Sequence, residues 1–125
     1  MTDYHFPPRE LAVMSVLWRL SSATVAEVRE QLDEDLAYTS VLSALQILED
    51  KGYVRHEAEG RAYRYFPTVA ADKAGRSAIT RIKDAIFQGS AERMFAQLVA
   101  DRRLSRDELQ RMRELLAKRL GDDDA

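Results

Sequence analysis

Hydrophobic positions recur along the first third of this chain with a helical period. Leu11, Met14, Val16, Leu17, Trp18 and Leu20 fall on one side of a helix entered through Pro7-Pro8. Pro8 suits the first turn, where an N–H has no partner within the helix. Ser21 and Ser22 close this segment. Thr24-x-x-Glu27 then has the form of a capping box and predicts a short second helix with Val25, Val28 and Leu32 turned inward. It ends in the acidic loop Asp33-Glu34-Asp35. A third helix is expected from Tyr38 to Lys51, stopped by Gly52, which can adopt the left-handed conformation of a C-cap. On its wheel Val41, Ala44, Leu45 and Leu48 cluster on one side. Thr39, Ser43, Gln46 and Asp50 lie opposite, with Leu42 and Ile47 on the flanks.

At Tyr53 the period drops from 3.6 to two. Tyr53–Glu57 and Arg61–Phe66 are rich in β-branched and aromatic residues, and Ala58-Glu59-Gly60 between them predicts the turn of a β-hairpin that ends at Pro67. The helical period then returns. Ala71, Ala74, Ala78, Ile79, Ile82, Ala85 and Ile86 form one stripe, interrupted near Gly89-Ser90. A shorter piece carries Met94, Phe95, Leu98 and Val99. A last helix opens at Ser105-x-x-Glu108 with Leu109, Met112, Leu115, Leu116 and Leu120 on one face, before Gly121 and three aspartates that read as a frayed tail.

Three short helices followed by a hairpin is the order of a winged helix-turn-helix. The expected fold class is mainly α with a small β-hairpin: a winged helix-turn-helix domain over 1–67, followed by C-terminal dimerisation helices over 68–125. In this architecture the third helix enters a DNA major groove and the hairpin rests on neighbouring phosphates or the minor groove. Thr39, Ser40 and Ser43 can bond phosphate or base, and Gln46 can read an adenine edge. Lys51, Arg55, Arg61 and Arg64 supply positive charge, with Arg61 directly after the turn glycine. A chain this small could fold its C-terminal helices back as a monomeric cap, but their apolar stripes exceed what a complete winged domain needs, so Ile79, Ile82, Ile86, Phe95, Leu109, Met112, Leu115 and Leu116 are the expected dimer seam.

Composition narrows the chemistry. Of 125 residues 46% are hydrophobic, 32% are charged and none is cysteine, which excludes disulfide scaffolds, thiolate metal sites and cysteine nucleophiles. His5 and His56 stand alone, there is no phosphate-cradling glycine loop, and the acidic runs lack the spacing of a calcium loop. The expectation is therefore a binding protein and no enzyme, with no metal and no cofactor. Asp3 occupies the place of a leader's positive region, and the longest apolar stretch, Leu11–Leu20, is broken by Ser15 and Arg19. A cytoplasmic protein without membrane insertion is expected. Charge raises one alternative. Residues 1–67 hold seven Lys/Arg against eleven Asp/Glu, for −4, while 68–125 hold twelve against ten, for +2. A winged-helix protein–protein adaptor without specific DNA binding would suit that acidic balance.

The runs Leu36-Ala37-Tyr38-Thr39-Ser40-Val41, Leu45-x-x-Leu48-Glu49-x-Lys51-Gly52-Tyr53-Val54 and Gly60-Arg61-Ala62-Tyr63-Arg64-Tyr65 closely resemble the penicillinase-repressor family of BlaI, MecI and CopY type. So does Glu10-Leu11-x-Val13-Met14-x-x-Leu17-Trp18. The resemblance spans residues 7–120. It implies a homodimeric repressor whose winged domains bind an inverted-repeat operator in double-stranded DNA and whose C-terminal helices hold the dimer. In the antibiotic-responsive branch a membrane-bound sensor protease triggers cleavage in the dimerisation region. Alignment back from Leu104-Ser105 puts Gln97-Leu98 where those members carry their Asn-Phe cleavage bond. The copper-responsive branch uses a C-terminal cysteine cluster, which this chain lacks. Relatives often carry a basic residue where this chain has Ile47, a departure that bears on operator sequence.

Overall fold

The computed structural model of the protein describes residues 4–124, so the expectation drawn from Asp3 lies outside the described residues. The chain divides into two compact units, Met1–Ile79 and Thr80–Ala125. The first contains α1 (Pro8–Leu20), β1 (Ala23–Thr24), α2 (Val25–Gln31), α3 (Tyr38–Asp50), β2 (Val54–Glu59), β3 (Ala62–Pro67) and the first half of α4 (Ala71–Ile86).

Each helix end has a local cause. Pro8 is the first residue of α1, and α2 is opened by the full capping box: Thr24 Oγ1 accepts from the Glu27 N–H at 3.2 Å and Glu27 Oε1 accepts from the Thr24 N–H at 2.8 Å. At the other end of α3, Gly52 takes φ +84°. The Gly52 N–H bonds to Glu49 O and the Tyr53 N–H to Leu48 O, both at 2.9 Å. That is a Schellman closure, and it turns the chain directly into β2.

The hairpin differs in two ways from expectation. Its strands run on through Glu59 and from Ala62, so Ala58 and Glu59 belong to the ladder and the turn is Gly60-Arg61 alone. Gly60, at φ +60°, occupies the first loop position, as in a type II′ turn. The hairpin also gains a third strand. Ala23 and Thr24 pair antiparallel with Tyr65 and Arg64, giving the order β1-β3-β2. Two residues are too short to show an alternation.

The core of this unit forms where the stripes of three helices meet one face of the sheet. Val13, Met14 and Leu17 of α1, Val28 of α2, Val41, Leu45 and Leu48 of α3, and Val54 and Tyr65 of the sheet are all buried. Each such side chain contributes about 1.5–3 kcal/mol of burial. Trp18 packs against this core, and its indole N–H donates to Val69 O at 2.8 Å. Phe6 meets the Trp18 ring edge-on at 5.9 Å and the Tyr53 ring at 4.9 Å. Trp18 is thus a structural residue.

The second unit holds the end of α4, α5 (Ala91–Val99) and α6 (Arg106–Asp124). Left-handed residues Gln88 (φ +50°) and Gly89 (φ +81°) end α4, and Ser90 caps α5 by accepting from the Arg93 N–H at 3.1 Å. Ser105 Oγ likewise accepts from the Glu108 N–H at 3.0 Å. The last helix continues through Gly121 to Asp124 instead of fraying there. Among the described residues, no hydrophobic side chain after Ala74 is buried.

Candidate nucleic-acid interface

The two faces of α3 separate as their pattern requires. Val41, Ala44, Leu45 and Leu48 point into the core, and Thr39, Ser43 and Gln46 are exposed with Ser40 half-buried. No side-chain hydrogen bond engages Thr39, Ser43 or Gln46 among the described residues. Ile47 stands beside them, 43% exposed. Thr39, Ser40, Ser43, Ala44 and Ile47 line an open cleft of about 280 Å³ together with Arg9 and Glu10 of α1. Gln46 lies on the same exposed side of the helix but does not line this cleft.

Three links position α3. Arg29 of α2 donates through Nε to Leu36 O at 2.8 Å, which pins the loop that delivers the helix. Lys51 follows the last turn, where a cation meets the negative end of the helix dipole, and its Nζ lies 2.7 Å from Glu10 Oε1 on α1. Glu49 reaches the hairpin, with its carboxylate oxygens 2.6 and 2.8 Å from His56 Nδ1.

Strand alternation sorts the hairpin's side chains onto two faces. Val54, His56, Tyr63 and Tyr65 share one, where the His56 ring sits 4.7 Å from that of Tyr63. Burial pushes the Tyr65 hydroxyl above its ordinary pKa, with the negative Glu49 adding to the effect. Arg55, Glu57, Glu59, Arg64 and Phe66 share the other. There Arg55 pairs with Glu57 at 2.7 Å and lies 4.3 Å over the Phe66 ring.

Arg64 grips the Glu59 carboxylate through two nitrogens at 3.0 Å each, and its Nη1 also reaches Glu27 Oε1 at 3.1 Å and Ser22 Oγ at 3.3 Å. The bond from the Thr24 backbone holds the Glu27 carboxyl below its ordinary pKa, with Arg64 adding to it. Arg64 holds Glu59 down in the same way, and its own pKa is raised mainly by that bond. Arg64 therefore ties β3 and the turn-proximal end of β2 to the start of α2. Arg61, in the turn, is exposed and has no ion-pair partner among the described residues.

The sequence-derived residues thus fall into two groups. Thr39, Ser40, Ser43, Gln46 and Arg61 are presented outward, while Lys51, Arg55 and Arg64 each hold a carboxylate. Two cleft residues escaped the sequence reading, Arg9 and Glu10. Both precede the apolar stripe of α1, and only the packing of α1 across α3 brings them beside Thr39 and Ser43. Arg9 also lies 3.5 Å from Glu34.

The C-terminal residues expected to form a dimer seam are open. Ile79 ends the first unit, and in the second Ile82, Ile86, Phe95, Leu109, Leu115 and Leu116 are exposed while Met112 is half-buried; Leu115 reaches 69%. Gln97 and Leu98 lie in the last turn of α5, both exposed. Among the described residues there is no cluster of His, Cys, Asp and Glu able to hold a metal, and no helix long and apolar enough to cross a membrane.

Comparison with known proteins agrees with this geometry. Residues 6–118 match the family described as penicillinase repressor. The transcriptional regulator BlaI of Mycobacterium tuberculosis is 36% identical over 114 residues, covering 87% of this chain and 80% of its own. The methicillin resistance regulatory protein MecI of Staphylococcus aureus is 20% identical over 118 residues, covering 93% and 96%. Among solved structures, the DNA-binding domain of the repressor BlaI superposes with a TM-score of 0.50 at 29% identity, over 56% of this chain and 88% of that domain. The family is one of transcriptional repressors and not of enzymes. With a model match over nearly the whole chain and a winged fold shared with a repressor's DNA-binding domain, this chain belongs to the penicillinase-repressor family.

Proposed function

We propose that this protein is a transcriptional repressor that binds an inverted-repeat operator in double-stranded DNA as a homodimer. The observation that carries the reading is the outer face of α3: Thr39, Ser43 and Gln46 are exposed, with no side-chain hydrogen bond among the described residues, on a helix otherwise anchored in the core. Small hydroxyls permit close approach to phosphates and base edges, Gln46 can bond adenine through two atoms, and Ile47 can meet a thymine methyl. The turn residue Arg61 is placed to reach a phosphate or a narrow minor groove. Lys51, Arg55 and Arg64 join the contact set by sharing or exchanging their carboxylates.

The exposed apolar side chains of the second unit support dimerisation. Leu109, Met112, Leu115 and Leu116 recur at three- and four-residue steps, and burial against a second copy removes that surface from water. A two-fold dimer presents two α3 helices to half-sites about one DNA turn apart. Regulated release follows from a cut at Gln97-Leu98 by a membrane-bound sensor protease, which separates α6 from the winged unit. Because this bond lies in a helix, its last turn must unwind to enter a protease.

The test is fluorescence anisotropy of duplex DNA from the protein's own upstream region, against scrambled duplex at two salt concentrations, with mass by sedimentation. Tight, salt-sensitive and sequence-preferring binding by a dimer supports the repressor. Failure to bind both these duplexes and any sequence selected from a random pool overturns it in favour of a protein partner.

A further inference from the structure

The cations around the proposed DNA face are nearly all occupied by the chain's own carboxylates. Lys51 holds Glu10 at 2.7 Å, Arg55 holds Glu57 at 2.7 Å, and Arg64 holds both Glu59 and Glu27. Arg61 stands apart in having no such partner among the described residues. The two shortest of these pairs differ in setting. Glu57 lies on the outward face of the hairpin, its side chain 60% exposed. Glu10 is 12% exposed and lines the cleft that also carries Thr39, Ser40 and Ser43. A negative charge is thus built into the surface that α3 offers to DNA.

Such a carboxylate opposes DNA in two ways. It repels an approaching phosphate, and it must give up or share its cation before that cation can serve the phosphate. When the phosphate takes the cation, the released carboxylate attracts a cation from solution. That uptake cancels part of the counterion release by which DNA binding ordinarily gains strength at low salt. Contacts of α3 with base edges carry no such charge cost.

We propose that Glu10 and Glu57 are intramolecular competitors of DNA phosphates, which suppress sequence-independent binding and leave operator choice to α3. The proposal rests on the DNA-binding reading and adds a specificity device to it. It also accounts for a DNA face within a unit whose net charge is negative.

The test compares full-length protein with Glu10→Gln, Glu57→Gln and, as an equal charge change in the second unit, Glu92→Gln. Scrambled duplex and the wild type's preferred duplex are titrated between about 50 and about 200 mM salt, the range over which phosphate contacts are resolved. Glu10→Gln and Glu57→Gln should each bind scrambled duplex roughly 3–10-fold tighter, with a salt dependence about one unit steeper and a smaller preference for the specific duplex. Glu92→Gln should show neither change in slope nor loss of preference. Competitor variants with the wild type's affinity and slope for scrambled duplex, or changes matched by Glu92→Gln, overturn the proposal while leaving DNA binding intact. Absence of any preferred duplex for the wild type overturns the DNA reading itself, and the proposal with it. Thermal unfolding verifies each fold, and Glu57→Gln, on an exposed strand position, keeps the test decisive if the cleft variant unfolds.

Discussion

In the first unit the apolar stripes of α1, α2 and α3 meet one another and the sheet, and Met14, Leu17 and Leu45 lose all contact with water. In the second, α5 and α6 carry stripes as regular, yet Leu98, Leu115 and Leu120 remain more than half exposed. Both regions satisfy the same local rule, that apolar residues repeat with the helical period. They differ in that the stripes of α1, α2 and α3 are buried, whereas those side chains of α5 and α6 stay open. Amphipathicity foretells an element and its inward face. It says nothing about which surface will cover that face.

Truncation within each region sharpens the contrast. Leu45→Ala removes a fully buried side chain and should lower the unfolding free energy by roughly 2–5 kcal/mol, through lost burial and the cavity left behind. Denaturant titration measures it, and a loss below about 1 kcal/mol would mean that the first core is not closed. The same truncation at Leu115 should move that unit's transition by less than about 0.5 kcal/mol when the protein is dilute enough to be monomeric, and by more where a second copy covers it.

A charge at the open seam acts on assembly instead. Leu115→Asp leaves an unpaired carboxylate where a partner's apolar side chains would sit and should convert dimer to monomer by sedimentation, while the first unit unfolds as in the wild type. A stable dimer in this variant would remove α6 from the interface.

Within the first unit, Arg61 and Arg64 provide a smaller comparison. Arg61→Ala should weaken binding several-fold for all DNA sequences and make the salt dependence about one unit shallower, as expected for one lost phosphate contact. An unchanged slope would remove Arg61 from the phosphate set. Arg64 responds to pH through its carboxylates. Glu27 and Glu59 have depressed pKa values in the fold, so their stabilising contribution is complete above the ordinary carboxylate range and is lost as pH falls through the depressed values. The midpoint of the Arg64 Nε–H shift in NMR should therefore fall at a lower pH than an ordinary glutamate titrates. A shift already complete near pH 5 would contradict the Glu59 clamp.

Much of the winged unit was legible from local pattern. The capping box at Thr24 and Glu27, the glycine closure at Gly52, the burial of Val41, Ala44, Leu45 and Leu48, and the exposed side at Thr39, Ser43 and Gln46 all depend on residues a few positions apart. The hairpin's existence was legible for the same reason. Its turn falls later than Ala58-Glu59-Gly60 suggests, because pairing of Ala58 with Tyr63 and Glu59 with Ala62 draws two of those residues into the ladder. Strand β1 left no trace, since two residues acquire strand character only from the β3 edge beside them.

What the sequence determined by itself is the succession of helices and hairpin, their apolar faces and the family, because caps, turn glycines and periodicity act over short stretches and survive in every context. The tertiary structure alone decided which distant polar groups meet. Lys51 and Glu10 are 41 residues apart, Arg64 and Ser22 are 42 apart, and the Trp18 indole finds the Val69 carbonyl across 51. A side chain's partner over such distances is set by how helices cross and strands pair, since an ionic or hydrogen-bonding group engages whichever opposite group the packed backbone brings within reach.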